Sequence, residues 1–355
     1  MSFKRSIKDT WWYKIYARSK MEYYESAKDF IRTHYDIESV DEKRIEKSMK
    51  RCFMYGGVHY SEYWKMRFDE LSFREKLRFV PRIAEMNLYW QVNPKRKYGP
   101  LLENKGKCYD LFGNYYNRDL VCVLKSDIIQ GLAKEKVLSF IGKHNRFIVK
   151  PLNGACGRGV RIFDSSIDYN ELVSSYSRGF VMEELINQNE KMANLHPNSV
   201  NTVRIITVNY GDEIEVKWPF LRVGRGDSIV DNAGQGGVFM AIDVRSGLTF
   251  AAGDESRHAY VVHPDTNVSL IGFQIPQWNK LCEIVKEMAR ICPDCHIMGW
   301  DMAFSDQGWV VVECNYGPNL VYQYITRGVA KEFKKVQKKL HAKKLKIIAL
   351  KTLKE

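Results

Sequence analysis

The sequence predicts an α+β protein, with a helical N-terminal region followed by mixed segments built around antiparallel hairpins. Three observations predict it. Apolar residues in the first hundred positions recur at helical spacing: Ile31, Tyr35, Ile45 and Met49, then Tyr60, Tyr63, Trp64 and Leu71 beyond the Gly56-Gly57 break. The stretch FIVKPLNGACGRGV, Phe147 to Val160, reads as a strand and a glycine loop, with Arg161-Ile162-Phe163 restoring strand character. Ile297–Phe304 and Trp309–Cys314 read as a second hairpin around Ser305-Asp306-Gln307-Gly308.

The remaining elements follow in order. Ser72-Phe73-Arg74-Glu75 has the form of a capping box opening a helix. Pro94 and Gly99-Pro100 mark a boundary. A short helix is expected from Tyr109-Asp110-Leu111-Phe112, a buried strand over Leu120–Leu124 and a helix over 127–142. Ile167 to Tyr176 reads as a short helix, and Phe180 to Ile186 as a strand with its exit. Val203–Asn209, Ile214–Val223 and Val238–Val244 read as strands, and Trp278–Ile291 as an amphipathic helix with Leu281, Ile284, Val285, Met288 and Ala289 on one side. The tail from Val329 is a basic helix with Val329, Phe333, Val336 and Leu340 on one stripe.

Composition limits the function classes. A 355-residue chain that is 45% hydrophobic and 27% charged can bury a sizeable core in two or three subdomains. No run of about 18 apolar residues is present, so no transmembrane helix is expected. The N-terminus MSFKRSIKDTWWYKIYARSK lacks an apolar stretch followed by small residues, so a secretory signal is not expected and the chain reads as cytoplasmic. Its eight scattered cysteines then read as reduced thiols. The net charge of +13 favours polyanions: nucleotides, nucleic acid or an acidic membrane surface.

The glycine loop favours the nucleotide. Gly154, Gly157 and Gly159 leave room for backbone N–H groups to converge on a phosphate, and Lys150 adds a charge at the strand end. A P-loop would need Lys-Ser/Thr after Gly159, where Val160-Arg161 stands, and a dinucleotide fingerprint would need glycine at Ile162. In the last hairpin, Asp301 faces the partner strand that carries Glu313 and Asn315 two residues apart, on one side. Three oxygen ligands of this kind suit magnesium. An ion pair would equally offset the burial of Glu313 between Val312 and Cys314.

Lys107, Lys150 with its glycine lid, Glu183-Glu184-Leu185-Ile186, Asn201-Thr202-Val203-Arg204, Asp301 and Glu313-x-Asn315 stand in the order of ATP-grasp enzymes. The phrases NTVRIITV, NAGQGGVFMAID, GWDMAF and VVECNYGPN resemble the sugar-transfer-associated ATP-grasp family found with bacterial surface-polysaccharide genes. The resemblance covers about 100–330. It implies an ATP-grasp fold, two α+β subdomains clasping ATP. Residues 1–100 would be a helical region, 101–182 the glycine-lid subdomain, 183–328 the metal-binding subdomain and 329–355 a basic helix.

The resemblance also assigns roles. Lys107 and Lys150 would contact the α- and β-phosphates, beneath the Gly154–Gly159 backbone. Glu183, Glu184 and Ile186 would border the adenine, and Glu190 would take the ribose hydroxyls. Arg204 and Lys150 would be catalytic, Arg204 stabilising the γ-phosphate, and Asp301, Glu313 and Asn315 would hold two magnesium ions. Where the family has an aspartate before the first lysine, Gly106 precedes Lys107, and Lys105 lies nearby. The reaction implied is ligation: a carboxylate, such as a uronic or amino acid, becomes an acyl phosphate with release of ADP, and an amine displaces phosphate. An ATP-grasp kinase would use the same residues. A non-enzymatic nucleic-acid binder would explain the charge but not the carboxylates, so no nucleic acid is expected.

Three segments stand apart. The loop Asp231 to Gly237, with Asn232, Gln235 and Gly236, reads as an acceptor-side substrate loop or as an ordinary connection. Cys292-Pro293-Asp294-Cys295-His296 spells a haem-attachment pattern, but without an export signal or a second metal-binding pair it reads as a connector. The basic tail either lies on anionic lipid at the inner membrane face or packs its stripe on the protein.

Overall fold

The computed structural model describes residues 27–36, 38–154, 157–231 and 236–352. They form two compact units: one takes the described residues up to Asn87 with Arg327–Lys334, the other Leu88–Thr326 with the described residues from Lys335. The first unit is helical. Ile31, Ile45, Met49 and Tyr63 are buried, as their spacing predicts. Asp41 caps the Glu42–Gly56 helix, and Gly57, at φ +69°, ends it. Ser72 and Glu75 make the expected reciprocal cap, with the Ser72 N–H donating to Glu75 at 2.9 Å.

The second unit holds two antiparallel sheets. The smaller has four strands, β1 (Leu120–Leu124), β2 (Arg146–Pro151), β3 (Arg161–Asp164) and β4 (Gly179–Glu184), in the order β1-β4-β2-β3. The larger has six, β5 (Thr202–Asn209), β6 (Ile214–Val223), β7 (Val238–Ile242), β8 (Thr249–Gly253), β9 (Ile297–Ser305) and β10 (Gly308–Asn315), in the order β10-β9-β5-β6-β7-β8. Strands β5 and β9 are buried along their whole length. The Trp278–Ile291 helix packs Leu281, Val285 and Met288 into the core of the larger sheet. The smaller sheet has its own core around Phe147, Val149, Phe180 and Met182. The Lys105–Phe112 helix touches both β1 and β10.

Several expectations change. The helix expected over 127–142 is two helices, Lys125–Ile129 and Ala133–Ile141, because Gly131 turns the chain at φ +74°. Pro100 is not a boundary but lies inside the Lys95–Leu102 helix. The strand Thr249–Gly253 has no alternation in the sequence and is an unforeseen element. The tail does form the helix Ala330–Thr352. Its apolar stripe is covered, however: Val329, Phe333, Val336 and Leu340 are all buried. Lys339 donates to Glu213 at 2.6 Å and Glu215 at 2.7 Å and stands 3.9 Å from the Tyr210 ring centre. That stripe is therefore not free to meet lipid. Among the described residues no helix is long and apolar enough to cross a membrane. The Cys-x-x-Cys-His segment is a connector as expected, with Cys292 and Cys295 buried and His296 Nδ1 2.7 Å from the Asn209 carbonyl.

Candidate active site

The site begins where β2 and β4 lie side by side. Lys150 pairs with Val181 and Ile148 with Glu183, so Lys150 and Glu183 are diagonal neighbours on one face. Lys150 Nζ lies 2.8 Å from one Glu183 oxygen. Arg118 donates to the other from Nη2 at 2.6 Å and from Nε at 3.0 Å. Burial alone would raise the Glu183 carboxyl, but Lys150 and Arg118 outweigh it and hold it at about 2. Burial, with Arg118 nearby, depresses the Lys150 ammonium against the pull of Glu183. Two cations thus share one ionised carboxylate, leaving an excess of positive charge at the strand end.

The glycine hairpin continues from β2. Gly157 and Gly159 take φ of +68° and +73°, which L side chains resist. A Cβ at Gly159 would also meet Pro151 Cγ at 3.0 Å. The Tyr176 hydroxyl donates to the Gly159 carbonyl at 2.7 Å. At the other end, Lys105 Nζ donates to the Gly154 carbonyl at 3.1 Å and stands 3.6 Å from Glu313 Oε1. Asn104 caps the Lys105–Phe112 helix by accepting the Lys107 N–H. That aims Lys105 at the hairpin and leaves Lys107 exposed. Gly106 is required there: a Cβ would fall 2.4 Å from Cys122 Sγ.

On the larger sheet, Arg204 of β5 faces Asp301 of β9, which faces Glu313 of β10. The three form one row across adjacent strands, on one side of the sheet. Asp301 is buried, with Arg204 Nε on one oxygen and Arg204 Nη2 at 2.7 Å on the other. Arg222 of β6 adds a contact to Asp301 at 2.9 Å. Burial would raise the Asp301 carboxyl, but the two arginines outweigh it and lower it. Arg222 also donates to Thr202 Oγ1 at 2.7 Å and lies 3.5 Å from Asp231, whose carboxyl burial raises.

A bulge between Val311 and Glu313 shifts β10 by one residue and sets Glu313 opposite Asp301. Beside it the Val311 carbonyl accepts from Arg118 Nη1 at 2.7 Å.

No group of three or more His, Cys, Asp or Glu side chains able to hold a metal exists among the described residues. Glu313 is partly exposed. The Asn315 amide, two residues on, has a buried nitrogen with no partner, an N–H donor that suits a phosphate oxygen and not a cation. Glu313 and the Asn315 amide oxygen are the donors here of the kind a hard cation takes, with phosphate oxygens completing its shell. Asp301 does not stand free beside them, because both its oxygens are engaged by arginine.

The structure thus brings together Lys150 with Glu183, Lys105 with Gly154 and Glu313, and Arg204 with Asp301. Glu184 sits at the end of β4, its backbone N–H bonded to Asp119, and Ile186 lies just beyond. Glu190 is exposed at the start of the Glu190–Ala193 helix. Lys107 is exposed, two residues along the same helix from Lys105. Asn232 and Gln235 lie outside the described residues. Gly236 lies beside Arg225, whose Nη2 would be 3.2 Å from a Cβ there. Arg118 and Arg222 were not foreseen, and Lys105 was noted only as lying near Lys107. For Arg222 a signal existed, a charge inside the apolar run Phe220-Leu221-Arg222-Val223 that needs a partner. For Lys105 it was Asn104, a helix cap one residue before it.

Two antiparallel sheets, a glycine hairpin over one and a row of paired charges across the other define an ATP-grasp protein. The description of sugar-transfer-associated ATP-grasp proteins matches residues 84–338, and the chain belongs to that family. Among solved structures it is similar to the VanG D-Ala:D-Ser ligase from Enterococcus faecalis, at 13% identity and a TM-score of 0.43, over 68% of this chain and 61% of that one. It is also similar to the D-alanine–D-alanine ligase from Helicobacter pylori, at 13% identity and a TM-score of 0.41, over 70% and 62%. A third is the D-cycloserine synthetase DcsG, at 10% identity and a TM-score of 0.43, over 80% and 82%. The chain thus spans under two thirds of the first two. No curated protein matches it.

Proposed function

We propose that the chain is an ADP-forming carboxylate–amine ligase acting on a sugar acid or a related precursor of a surface polysaccharide. The observation that carries this reading is the bridge made by Lys105 between the Gly154 carbonyl and Glu313. It joins the glycine hairpin to the residues suited to a cation, the place for the inner end of a polyphosphate. Lys105 and Lys150 would neutralise the α- and β-phosphates while the hairpin N–H groups cover them. Arg204 and Arg222, held by Asp301, would stabilise charge developing on the transferring γ-phosphoryl group. Glu313 and Asn315 would hold magnesium, which supplies neutralisation of the phosphate oxygens when bound. Asp301 would serve chiefly to position the arginines. Glu184 and Ile186 would border the adenine, Glu190 the ribose, and Gly236 the acceptor side.

The test is product analysis over a panel of uronic and amino acids. A ligase releases ADP and, with hydroxylamine present, gives a hydroxamate from the trapped acyl phosphate. AMP with pyrophosphate would overturn this reading. A stable phosphate ester without hydroxamate would make the protein a kinase.

A further inference from the structure

A buried carboxylate without an assigned role stands among the arginines of the larger sheet. Thr202 lies opposite Arg222 in β5 and β6 and two residues before Arg204, so all three side chains share the face of Asp301. Asp231, in the segment after β6, is buried against them. Its Oδ2 accepts the Thr202 N–H at 2.9 Å and the Thr202 hydroxyl, and lies 3.5 Å from Arg222 Nε. Arg222 in turn reaches Asp301 at 2.9 Å. Asp231 thus touches a group that the ligase reading sets on the transferring phosphoryl.

The hydrogen bonds give its two oxygens different roles. Arginine only donates, and Thr202 Oγ1 accepts from Arg222 Nη2 at 2.7 Å and Nε at 3.1 Å, so the hydroxyl proton points to Asp231 Oδ2. With every donor on Oδ2, a proton taken up by this carboxyl sits on Oδ1. That oxygen accepts no hydrogen bond from the described residues and is not sealed from solvent. The neighbouring carboxylates are engaged: both Asp301 oxygens by arginine, both Glu183 oxygens by Lys150 and Arg118, and Glu313 beside Lys105. Burial raises the Asp231 carboxyl against the pull of Arg222 and Thr202, with Asp301 adding to the rise. A carboxylate raised in this way is a better base than an ordinary aspartate. The charged groups facing it are Arg222 and Asp301, and Arg204 shares Asp301 with Arg222.

We propose that Asp231 takes the proton from the acceptor amine; this rests on the ligase reading above. The amine lone pair forms the C–N bond at the acyl carbon, and the C–O bond to phosphate breaks, its electron pair leaving with phosphate. The nitrogen gains positive charge as its bond forms, and its proton passes to Asp231 Oδ1. Opposite charges then serve the two ends of the step, Arg204 and Arg222 the departing phosphate and Asp231 the nitrogen. A general base contributes about 10²–10⁴-fold.

The experiment uses the full chain, the carboxylate on which the wild type releases ADP, and two nucleophiles. Hydroxylamine, largely unprotonated at neutral pH, traps the acyl phosphate with little need of a base. The other is an amine that the wild type accepts from a panel of amino sugars and amino acids. Asp231→Asn keeps an acceptor for Thr202 but cannot take a proton. It should lose about 100-fold in amide formation and much less in hydroxamate. If Asp231 merely positioned Arg222, acyl-phosphate formation itself would slow and both products would fall equally. That result, or no loss of amide, would overturn the proposal. Wild-type pH–rate profiles give a second measurement that does not depend on how the variant folds. Amide formation should fall towards acid with an ionisation that is the same for amines of different basicity and absent from the hydroxamate profile. A profile that follows only the ionisation of each amine would overturn the proposal, as would a wild type that forms hydroxamate but transfers to no amine. A wild type that forms no hydroxamate would overturn the ligase reading, and the role of Asp231 with it.

Discussion

Lys105 and Lys107 are two residues apart on a helix whose start the Asn104 cap fixes; Lys105 donates to the Gly154 carbonyl of the glycine hairpin, and Lys107 is exposed. Lys105→Ala should weaken ATP binding by roughly 1.5–3 kcal/mol, the loss of a charge-assisted contact, while Lys107→Ala leaves it within about twofold; calorimetry distinguishes them. Glu313→Gln removes a charge and no volume from a partly exposed position. It should cost magnesium-dependent ADP release about 10²-fold or more by analogy with lost metal contacts, with an unchanged circular dichroism spectrum. Ordinary magnesium-dependent turnover in that variant would refute the site. At this scale a charge that interrupts an apolar strand is a legible signal of a buried partner, followed at Glu313 and Asp301 and passed over at Arg222. The sequence was unreadable at Asp301 in another sense: no spacing reveals that two arginines would take both carboxylate oxygens.

The glycine hairpin is an element whose shape depends on backbone more than on side chains. Gly159→Ala places a Cβ at a positive φ and against Pro151, a strain of about 1–2 kcal/mol. It should raise KM for ATP several-fold while leaving the melting temperature within a few degrees, as initial rates and thermal melts will show. Tyr176→Phe removes the hydroxyl that holds the Gly159 carbonyl and should speed proteolytic nicking of the loop. Elements with strong period or clear punctuation were legible: Ile214–Val223 and Trp278–Ile291 lie where the pattern puts them. Strand β8 was not, since Thr249-Phe250-Ala251-Ala252-Gly253 has neither alternation nor β-branched residues beyond one threonine. Its place comes from pairing with β7 across a short connection, a cross-strand contact that single-residue propensity does not encode.

For the whole molecule, acid should act through Glu183. Its carboxyl falls from the ordinary 4.5 to about 2 in the folded chain, so its contribution is present above about pH 4.5 and lost as pH falls towards 2. A shift of this size in a fully buried group amounts to about 3 kcal/mol. Chemical unfolding at stepped pH should show the loss in that window, and Glu183→Gln should flatten it there. A wild-type profile that matches the variant's would refute the assignment. Fold class and nucleotide chemistry were legible at this scale because glycines, lysines and carboxylates keep their order along the chain. The covering of the tail's apolar stripe was not, because a periodic stripe has the same sequence whether it meets lipid or protein.

Arg118 holds Glu183 in the smaller sheet with one side of its guanidinium and the Val311 carbonyl in the larger sheet with the other. In mechanical terms it is one rivet of two, the other being Lys105 between the hairpin and Glu313. Sheets riveted beside the phosphate end part there only if one of these cations lets go, so the same charges that would meet the nucleotide also hold the seam closed.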